Sequence, residues 1–176
     1  MLHLQYPIGK FEFEKEISDN EIQALIAEIE KLPHQLRQVV QQLTPQQMEI
    51  PYRTGGWKVK QVVHHLVDSH MNAYIRLNLM LTETQPTIKP YAEKLWAQLP
   101  YKEDLSIETA LTMLEMVHVY LSAVLRSLSN EQLNHTYLHP EYNRIYTLRK
   151  VIALYAWHGK HHLAHITKLR ERNFDQ

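Results

Sequence analysis

Residues 151–166 read Val-Ile-Ala-Leu-Tyr-Ala-Trp-His-Gly-Lys-His-His-Leu-Ala-His-Ile. Positions that advance alternately by four and three residues form the seam that a helix buries in a bundle. Here the seam consists of Val151, Tyr155, His158, His162, His165 and Leu169. Histidines therefore stand where a bundle normally places aliphatic side chains, and burying a polar group without a partner costs about 1–3 kcal/mol. We expect a ligand or a hydrogen-bond network to satisfy these imidazoles.

The rest of the chain repeats its apolar residues at helical spacing and predicts four main helices. Their expected ranges are about Asp19–Leu43, Lys58–Leu81, Ser106–Leu128 and Thr147–Arg172. Pro33 predicts a kink or a break in the first helix, and Thr147 is a candidate N-cap of the fourth. No convincing run alternates with period two, so no strand is expected. The pattern predicts an all-α four-helix bundle, in which sites are commonly built from facing helices.

The connection from Thr82 to Leu105 between the second and third helices is long and rich in proline and aromatic residues. Its length favours a crossover connection over a simple up-down-up-down arrangement. Loops of this length in compact domains usually carry function. Two interpretations stay open: a lid or wall of a site, and a packed crossover.

Composition limits the function classes. We expect one domain over residues 1–176, long enough to bury a core without a structural metal. Lys plus Arg equals Asp plus Glu, at 19 each, so no nucleic-acid partner is expected. The chain has no cysteine, which excludes disulfides, zinc–thiolate sites and a cysteine nucleophile. No apolar run suited to a membrane helix and no secretory signal are apparent, so a cytoplasmic protein is expected.

Twelve histidines are the compositional anomaly, and most lie in two apolar segments. His158 and His162 are four residues apart, which lets two imidazoles on one helix face meet one metal ion. His161 and His165 form a second pair at the same spacing, and spacing alone prefers the first pair only modestly. In the second helix, His65 lies within the apolar face and His64 is rotated away by about 100°.

His65, His158 and His162 are therefore candidate ligands of one metal ion. Three histidines with no fourth protein ligand would leave an open position, as in catalytic zinc sites. The competing interpretation is that core histidines bond to one another, to Tyr155 or to the backbone. His70 could support a ligand or be an ordinary satisfied helix histidine. His3, His34, His118, His135 and His139 are expected to be ordinary surface or packing residues.

Three further polar side chains follow His65 on the second helix. Asp68 could orient that ligand or accept a proton, although a solvated helix acid is the favoured interpretation. Asn72 and Arg76 could line a pocket and hold an anionic group, or could reach solvent. No general acid or base is assigned from the sequence.

Several multi-residue motifs resemble the DinB-like superfamily, and within it the YfiT branch of metal-dependent hydrolases related to bacillithiol transferases. The motifs are Tyr6-Pro-Ile-Gly9, Pro51-Tyr-Arg-Thr-Gly-Gly-Trp57, Val63-His-His-Leu-Val-Asp-Ser-His-Met-Asn72, Pro90-Tyr91 with Trp96, His139-Pro140 and Trp157-His158-Gly-Lys-His-His162. Gly159-Lys160 within the last motif is the main departure noticed. The resemblance implies a four-helix bundle, a homodimer and one divalent ion per subunit. The implied ligands are His65, His158 and His162, and the implied metal is zinc foremost, with nickel also associated with the family.

Three functions are compatible with such a site. The first is a hydrolase that acts on a small-molecule substrate with a metal-activated water. The second is a thiol S-transferase, in which the ion activates the thiolate of a cosubstrate such as bacillithiol. The third is a non-catalytic metal-dependent binding protein. The first two predict a concave pocket over the open metal position, and the third predicts a site capped by protein.

Overall fold

The computed structural model describes residues 2–173, with side chains from residue 4 onward. Within these residues, four long helices form the bundle: α2 (Asp19–Val40), α4 (Val59–Thr82), α7 (Ile107–Arg126) and α8 (Leu148–Asn173). Single helical turns lie before and between them: α1 (Leu2–Gln5), α3 (Pro45–Met48), α5 (Glu93–Trp96), α6 (Tyr101–Asp104) and a 3₁₀ turn at Gln132–Asn134. The predicted four-helix bundle is confirmed. The single domain over residues 1–176 stays a prediction, and Met1 and residues 174–176 lie outside the described part.

Side-chain hydrogen bonds cap the starts of α2, α7 and α8. The Ser18 amide donates to the Glu21 carboxylate at 3.0 Å, and the Thr109 amide donates to Ser106 Oγ at 3.1 Å. At the start of α8, the Lys150 amide donates to Thr147 Oγ1 at 3.2 Å, which confirms the predicted N-cap. These bonds satisfy amides that have no partner inside the first helical turn.

Helix α2 runs for 22 residues through Pro33, so the predicted break does not occur. Proline inside a helix removes one backbone hydrogen bond and costs about 3 kcal/mol. Ile29, Leu32 and Leu36 are buried on both sides of Pro33. Their packing against the other helices offsets this cost, and the helix ends at Val40, three residues before the predicted boundary.

A two-stranded hairpin, which the sequence pattern did not predict, precedes α8. Strand β1 (Thr136–His139) pairs antiparallel with β2 (Arg144–Thr147), and Tyr137 lies opposite Tyr146. Runs of four residues are too short to reveal a period of two. The crossover is attached to this hairpin, because the Ile88 amide donates to the Leu138 carbonyl at 3.1 Å.

Helix α8 approaches α2 closely at Gly159. A Cβ on this glycine would lie 2.7 Å from Cδ2 of the buried Leu32, which is closer than real Cβ contacts. The departure noticed within the histidine motif therefore has a packing reason. A glycine costs about 1 kcal/mol of helix propensity relative to alanine, and here it permits the contact between the two helices.

Two apolar clusters make up the core, one toward each end of the bundle. The first includes Ile26, Leu77, Leu121 and Ile152, and the second includes Leu36, Val63, Leu111 and Ile166. Between the two clusters, three helices place histidines instead of aliphatic residues: His70 on α4, His118 on α7, and His158, His161, His162 and His165 on α8. We call these six residues the histidine layer.

Helix α7 is long and apolar enough to cross a membrane by length and composition alone. One such helix is weak evidence, because core helices of soluble proteins pass the same test. Leu114 and Leu121 are buried on one face of α7, and the opposite face exposes Met113, Met116, Val119 and Tyr120. Within the described chain, the Tyr120 ring contacts the ring of Tyr74, with centroids 5.9 Å apart, and this face is otherwise exposed.

Candidate metal centre

His65 on α4 meets His158 and His162 on α8. The Nε2 atoms of His65 and His158 lie 3.2 Å apart, and ligand atoms of all three residues lie within 4.8 Å of one another. Two nitrogens bound to one tetrahedral ion at 2.0–2.1 Å would be separated by about 3.3 Å. The three predicted ligands are therefore brought together, at a spacing that fits a metal ion.

Burial keeps these three imidazoles neutral. It lowers the pKa of His65 to about 3, with the nearby positive charge of Lys102 as a second cause. Burial also lowers the pKa values of His158 and His162 well below the usual range, and neighbouring histidines add to the effect. A metal binds only the neutral imidazole, so all three ligands are in the binding form at neutral pH.

Hydrogen bonding selects the tautomer of His162. Nε2 of His165 lies 3.1 Å from the carbonyl oxygen of Gln5, and a carbonyl only accepts, so this nitrogen carries the hydrogen. Neutral His165 then has its lone pair on Nδ1, which lies 3.4 Å from Nδ1 of His162. If His162 donates from Nδ1, its own lone pair lies on Nε2, free to bind a metal.

A second chain of imidazoles supports His158. Its Nδ1 lies 3.4 Å from Nε2 of His70, and Nδ1 of His70 lies 2.9 Å from Nε2 of His118. One direction of donation, from each Nδ1 to the next Nε2, satisfies both contacts and leaves Nε2 of His158 free. Metal-bound histidines usually have such outer partners. His70 thus lies in the supporting position that the sequence left open.

His118 was expected to be an ordinary residue, and its bond to His70 was missed. The sequence did contain a signal for this contact. His118 lies four residues after Leu114 and three before Leu121, within the apolar stripe of α7. A buried histidine on that stripe needs a partner, and burial lowers its pKa to about 4.

The competing histidines also form a group. Ligand atoms of His161, His162 and His165 lie within 4.8 Å of one another. All three come from one turn of α8. The ring of His161 stacks on Trp157 and that of His165 stacks on Tyr52, with centroids 4.5 Å and 3.8 Å apart. This group does not border the cavity described below, whereas His158 does.

Asp68 is buried, and the expectation of a solvated helix acid is wrong. It forms an ion pair with Lys102, and the two residues are only 7% and 5% exposed. Burial raises the pKa of Asp68, opposed by the ammonium group of Lys102. Lys102 lies on α6 in the crossover, so this ion pair fastens the crossover to the helix that carries His65.

A cavity of about 660 Å³ opens beside His158. Its walls come from α4 (Ser69, Arg76), the crossover (Pro90 to Lys94), the hairpin with its turn (Tyr137, His139, Glu141, Tyr142, Tyr146) and α8 (Leu154, Tyr155, His158). The crossover is therefore a wall of the site. Arg76 lines the cavity, which agrees with the interpretation that it lines a pocket and not with the alternative that it reaches solvent. Asn72 instead donates to the Asp68 carbonyl at 2.8 Å.

Trp57 contacts two of the candidate ligands. It ends the motif Pro51–Trp57, for which the sequence indicated no role. Its ring centroid lies 4.6 Å from that of His65 and 6.2 Å from that of His162. The turn before it requires glycine, because a Cβ on Gly56 would lie 2.8 Å from Arg53 Cγ. This turn places the indole ring against the histidines.

Comparisons with known proteins find a matching family and similar proteins. The family model described as the DinB superfamily matches residues 28–166. A curated relative from Bacillus cereus (strain G9842), named "Putative metal-dependent hydrolase", is 50% identical over 172 residues, or 98% of both chains. A relative of the same name from Bacillus thuringiensis subsp. konkukian (strain 97-27) is also 50% identical, again over 98% of both chains.

A solved structure is similar over nearly the whole chain. It is YfiT from Bacillus subtilis, described as "a probable metal-dependent hydrolase with an unusual four-helix bundle topology". The TM-score is 0.93 at 43% sequence identity, and 97% of each chain is covered.

Proposed function

Because this chain belongs to the DinB superfamily, we propose that it is a divalent-metal-dependent hydrolase that acts on a small molecule. One ion per subunit would be held by His65, His158 and His162. The observation that carries the proposal is the convergence of three neutral imidazoles beside a cavity of about 660 Å³ that reaches His158. The relatives named as metal-dependent hydrolases support the same reaction class.

The chain's own residues would bind the ion and orient the imidazoles that hold it. The bond from His165 to Gln5 favours the tautomer in which Nε2 of His162 is free, and the chain from His158 to His118 is compatible with a free Nε2 on His158. Three protein ligands are typical of catalytic zinc sites, which keep one position open. When bound, a divalent ion supplies Lewis acidity and lowers the pKa of a coordinated water toward ~7. Imidazole ligands suit both zinc, which we propose, and nickel.

A non-catalytic binding protein is less consistent with this site. That function predicts histidines capped by protein, whereas His158 lines an open cavity. The thiol S-transferase would use the same cavity and the same ligands, so it is separated from the hydrolase by experiment. The metal identity, the homodimer and the cytoplasmic location stay predictions.

Metal analysis of the purified protein tests the ligand set. We expect His65→Ala, His158→Ala and His162→Ala each to lose stoichiometric zinc, and His161→Ala to keep it. His161 is the matched control, because it lies on the same turn of α8 and belongs only to the competing group. Loss of zinc from His161→Ala, together with full occupancy in His65→Ala, would assign the ion to the competing group.

Activity assays separate the reactions. The zinc-loaded protein is incubated with a panel of carboxylic esters and amides, and separately with bacillithiol and a chloro-aromatic electrophile. Metal-dependent hydrolysis that His65→Ala abolishes supports the proposal. Metal-dependent conjugation without hydrolysis would replace the hydrolase with the transferase. Stoichiometric zinc without either reaction would favour the binding protein.

A further inference from the structure

We propose that Arg76 binds an acidic group of the substrate, a carboxylate or a phosphate, inside the cavity beside His158. The proposal rests on the proposed function for the reacting end of the substrate. It adds a substrate class: small molecules that carry an oxyanion some distance from the group that reacts at the ion.

The charge of Arg76 is not balanced by an acid within the described chain. Four other arginines pair with carboxylates: Arg37 with Glu108 and Glu115, Arg126 with Glu30, Arg144 with Glu14, and Arg149 with Asp19. The hydrogen bond that the structure gives Arg76 runs from Nη1 to the Tyr155 hydroxyl at 3.3 Å. Its Nε is buried without a partner.

A guanidinium presents five N–H donors in a planar fork, which matches the two oxygens of a carboxylate or phosphate. In Arg76 one of these donors is used, and its acceptor is a neutral phenol. A partly buried cation with unused donors is an unfavourable arrangement that an anionic ligand would relieve. The arrangement is therefore typical of an anion-binding position and not of a structural ion pair.

The other charged groups of the cavity do not remove the preference of Arg76 for an anionic ligand. Glu93 and Glu141 line the same cavity, and neither forms an ion pair with Arg76 in the described chain. Burial raises the pKa of Glu93, opposed by the positive charge of Lys94. Lys94 adds a further positive charge, and His139 has its pKa lowered by burial and by Arg76.

Aromatic walls surround the guanidinium. Tyr137, Tyr146 and Tyr155 line the cavity, and the Tyr137 and Tyr146 rings stack with centroids 5.1 Å apart. Burial raises the pKa of each of these phenols, so they stay neutral hydrogen-bonding groups. A planar or apolar body next to the anion would pack against these rings.

Arg76 and His65 lie on the same helix, eleven positions apart, which is about 16 Å along the axis. Helical side chains lean toward the N-terminus, so the guanidinium is displaced toward the histidines. Tyr155, which accepts from Arg76, lies three residues before His158 on α8. An elongated molecule held at Arg76 would therefore extend along the cavity toward His158.

Binding of benzoate, measured by calorimetry against its neutral counterpart benzyl alcohol, tests the proposal. The variants are Arg76→Gln, Arg76→Lys and the matched control Arg144→Gln, each in metal-free and zinc-loaded full-length protein. Charge-assisted hydrogen bonds contribute about 1.5–3 kcal/mol, so Arg76→Gln should weaken benzoate binding about 10- to 100-fold. We expect Arg76→Lys to keep part of the affinity, and Arg144→Gln and all benzyl alcohol values to stay unchanged.

The outcomes distinguish this proposal from the proposed function. Benzoate binding that survives Arg76→Gln, or no preference for benzoate over benzyl alcohol in the wild type, overturns the anion site. Binding that requires zinc and ignores Arg76 does the same, because the carboxylate is then on the ion. Preference for benzoate in metal-free protein, lost in Arg76→Gln, supports the site even if zinc loading fails and the proposed function falls.

Discussion

Nε2 of His165 lies 3.1 Å from the backbone carbonyl oxygen of Gln5, which joins the N-terminal segment to the middle of α8. Because a carbonyl only accepts, this contact fixes the tautomer of His165 and, through the Nδ1 contact at 3.4 Å, that of His162. The hydrogen-bonding state of a candidate metal ligand is thus set by a residue that binds no metal itself.

We expect His165→Ala to lower zinc affinity about 10- to 100-fold, as the loss of outer partners of metal-bound histidines does. His165→Gln offers a side-chain oxygen to the Nδ1–H of His162 and should recover part of the affinity. Competition with a chromophoric chelator gives both values. Complete loss of zinc in both variants would mean that His165 is itself a ligand, as in the competing group.

Breaking the ion pair between Lys102 and Asp68 should destabilise the protein. Removing one partner leaves an unpaired charge in a buried site and costs about 3–5 kcal/mol. We expect Lys102→Met alone to lower the free energy of unfolding by that amount in urea denaturation. The double variant Lys102→Met with Asp68→Leu should be less destabilised than Lys102→Met. Equal stability of wild type and Lys102→Met would show that the pair is not formed in solution.

Stability should fall as the pH drops below 6.5. Burial is the main cause that lowers the pKa values of His64, His118, His161 and His165 to about 4 each. Between pH 6.5 and 4 the unfolded chain therefore binds more protons than the folded chain, so the stability present above pH 6.5 is lost on acidification. Each such group contributes about 1.4 kcal/mol per pH unit.

Urea unfolding of the metal-free protein at pH 7.5, 6.5 and 5.5 measures this dependence. The four histidines named above contribute about 5 kcal/mol per pH unit below pH 6.5. Burial also lowers the pKa values of His65, His70, His158 and His162, so the measured slope should be steeper than this. His161→Phe keeps a stacking ring beside Trp157 but cannot bind a proton. It should therefore reduce the slope by about 1.4 kcal/mol per pH unit. The same free energy of unfolding at pH 7.5 and 5.5 would contradict the neutral, buried state of these imidazoles.

The exposed face of α7 is the surface on which we expect a second copy of the chain. Met116, Val119 and Tyr120 are 54%, 59% and 64% exposed, and apolar surface of this kind is common in homodimer interfaces. Met116→Glu with Val119→Glu should shift a dimer to a monomer in sedimentation at micromolar concentration. The charge-reversal variant Glu131→Lys, on an exposed position after α7, is the control. A wild type that sediments as a monomer would refute the homodimer.

Most of the fold was predictable because its helices are long and periodic. Contacts between segments that are distant in the sequence were not predictable. The seam on α8 placed His158 and His162 inward, but helical spacing preferred them to His161 and His165 only modestly. In the structure all four are buried or partly buried. The choice depends on what α4 and the cavity bring to α8, and helical period carries no information on that.

Asp68 is a second residue whose contact could not be predicted from helical period. As an acid on a helix it is most simply read as solvated, and its partner Lys102 comes from a crossover that has no regular period. The role of Arg76 in the cavity likewise depends on the hairpin, whose four-residue strands are too short to recognise. His118, in contrast, lies on the apolar stripe of α7, so its burial could have been predicted from periodicity alone.

The histidine layer has one more consequence for the bundle. It separates the apolar core into two clusters, so around its middle the protein is held together by contacts between imidazoles. An ion bound by His65 together with His158 and His162 of this layer would join α4 to α8, and its binding free energy would add directly to that of folding. The melting temperature of a purified sample would then report how much of it carries metal, which makes a thermal scan a simple assay of metal occupancy.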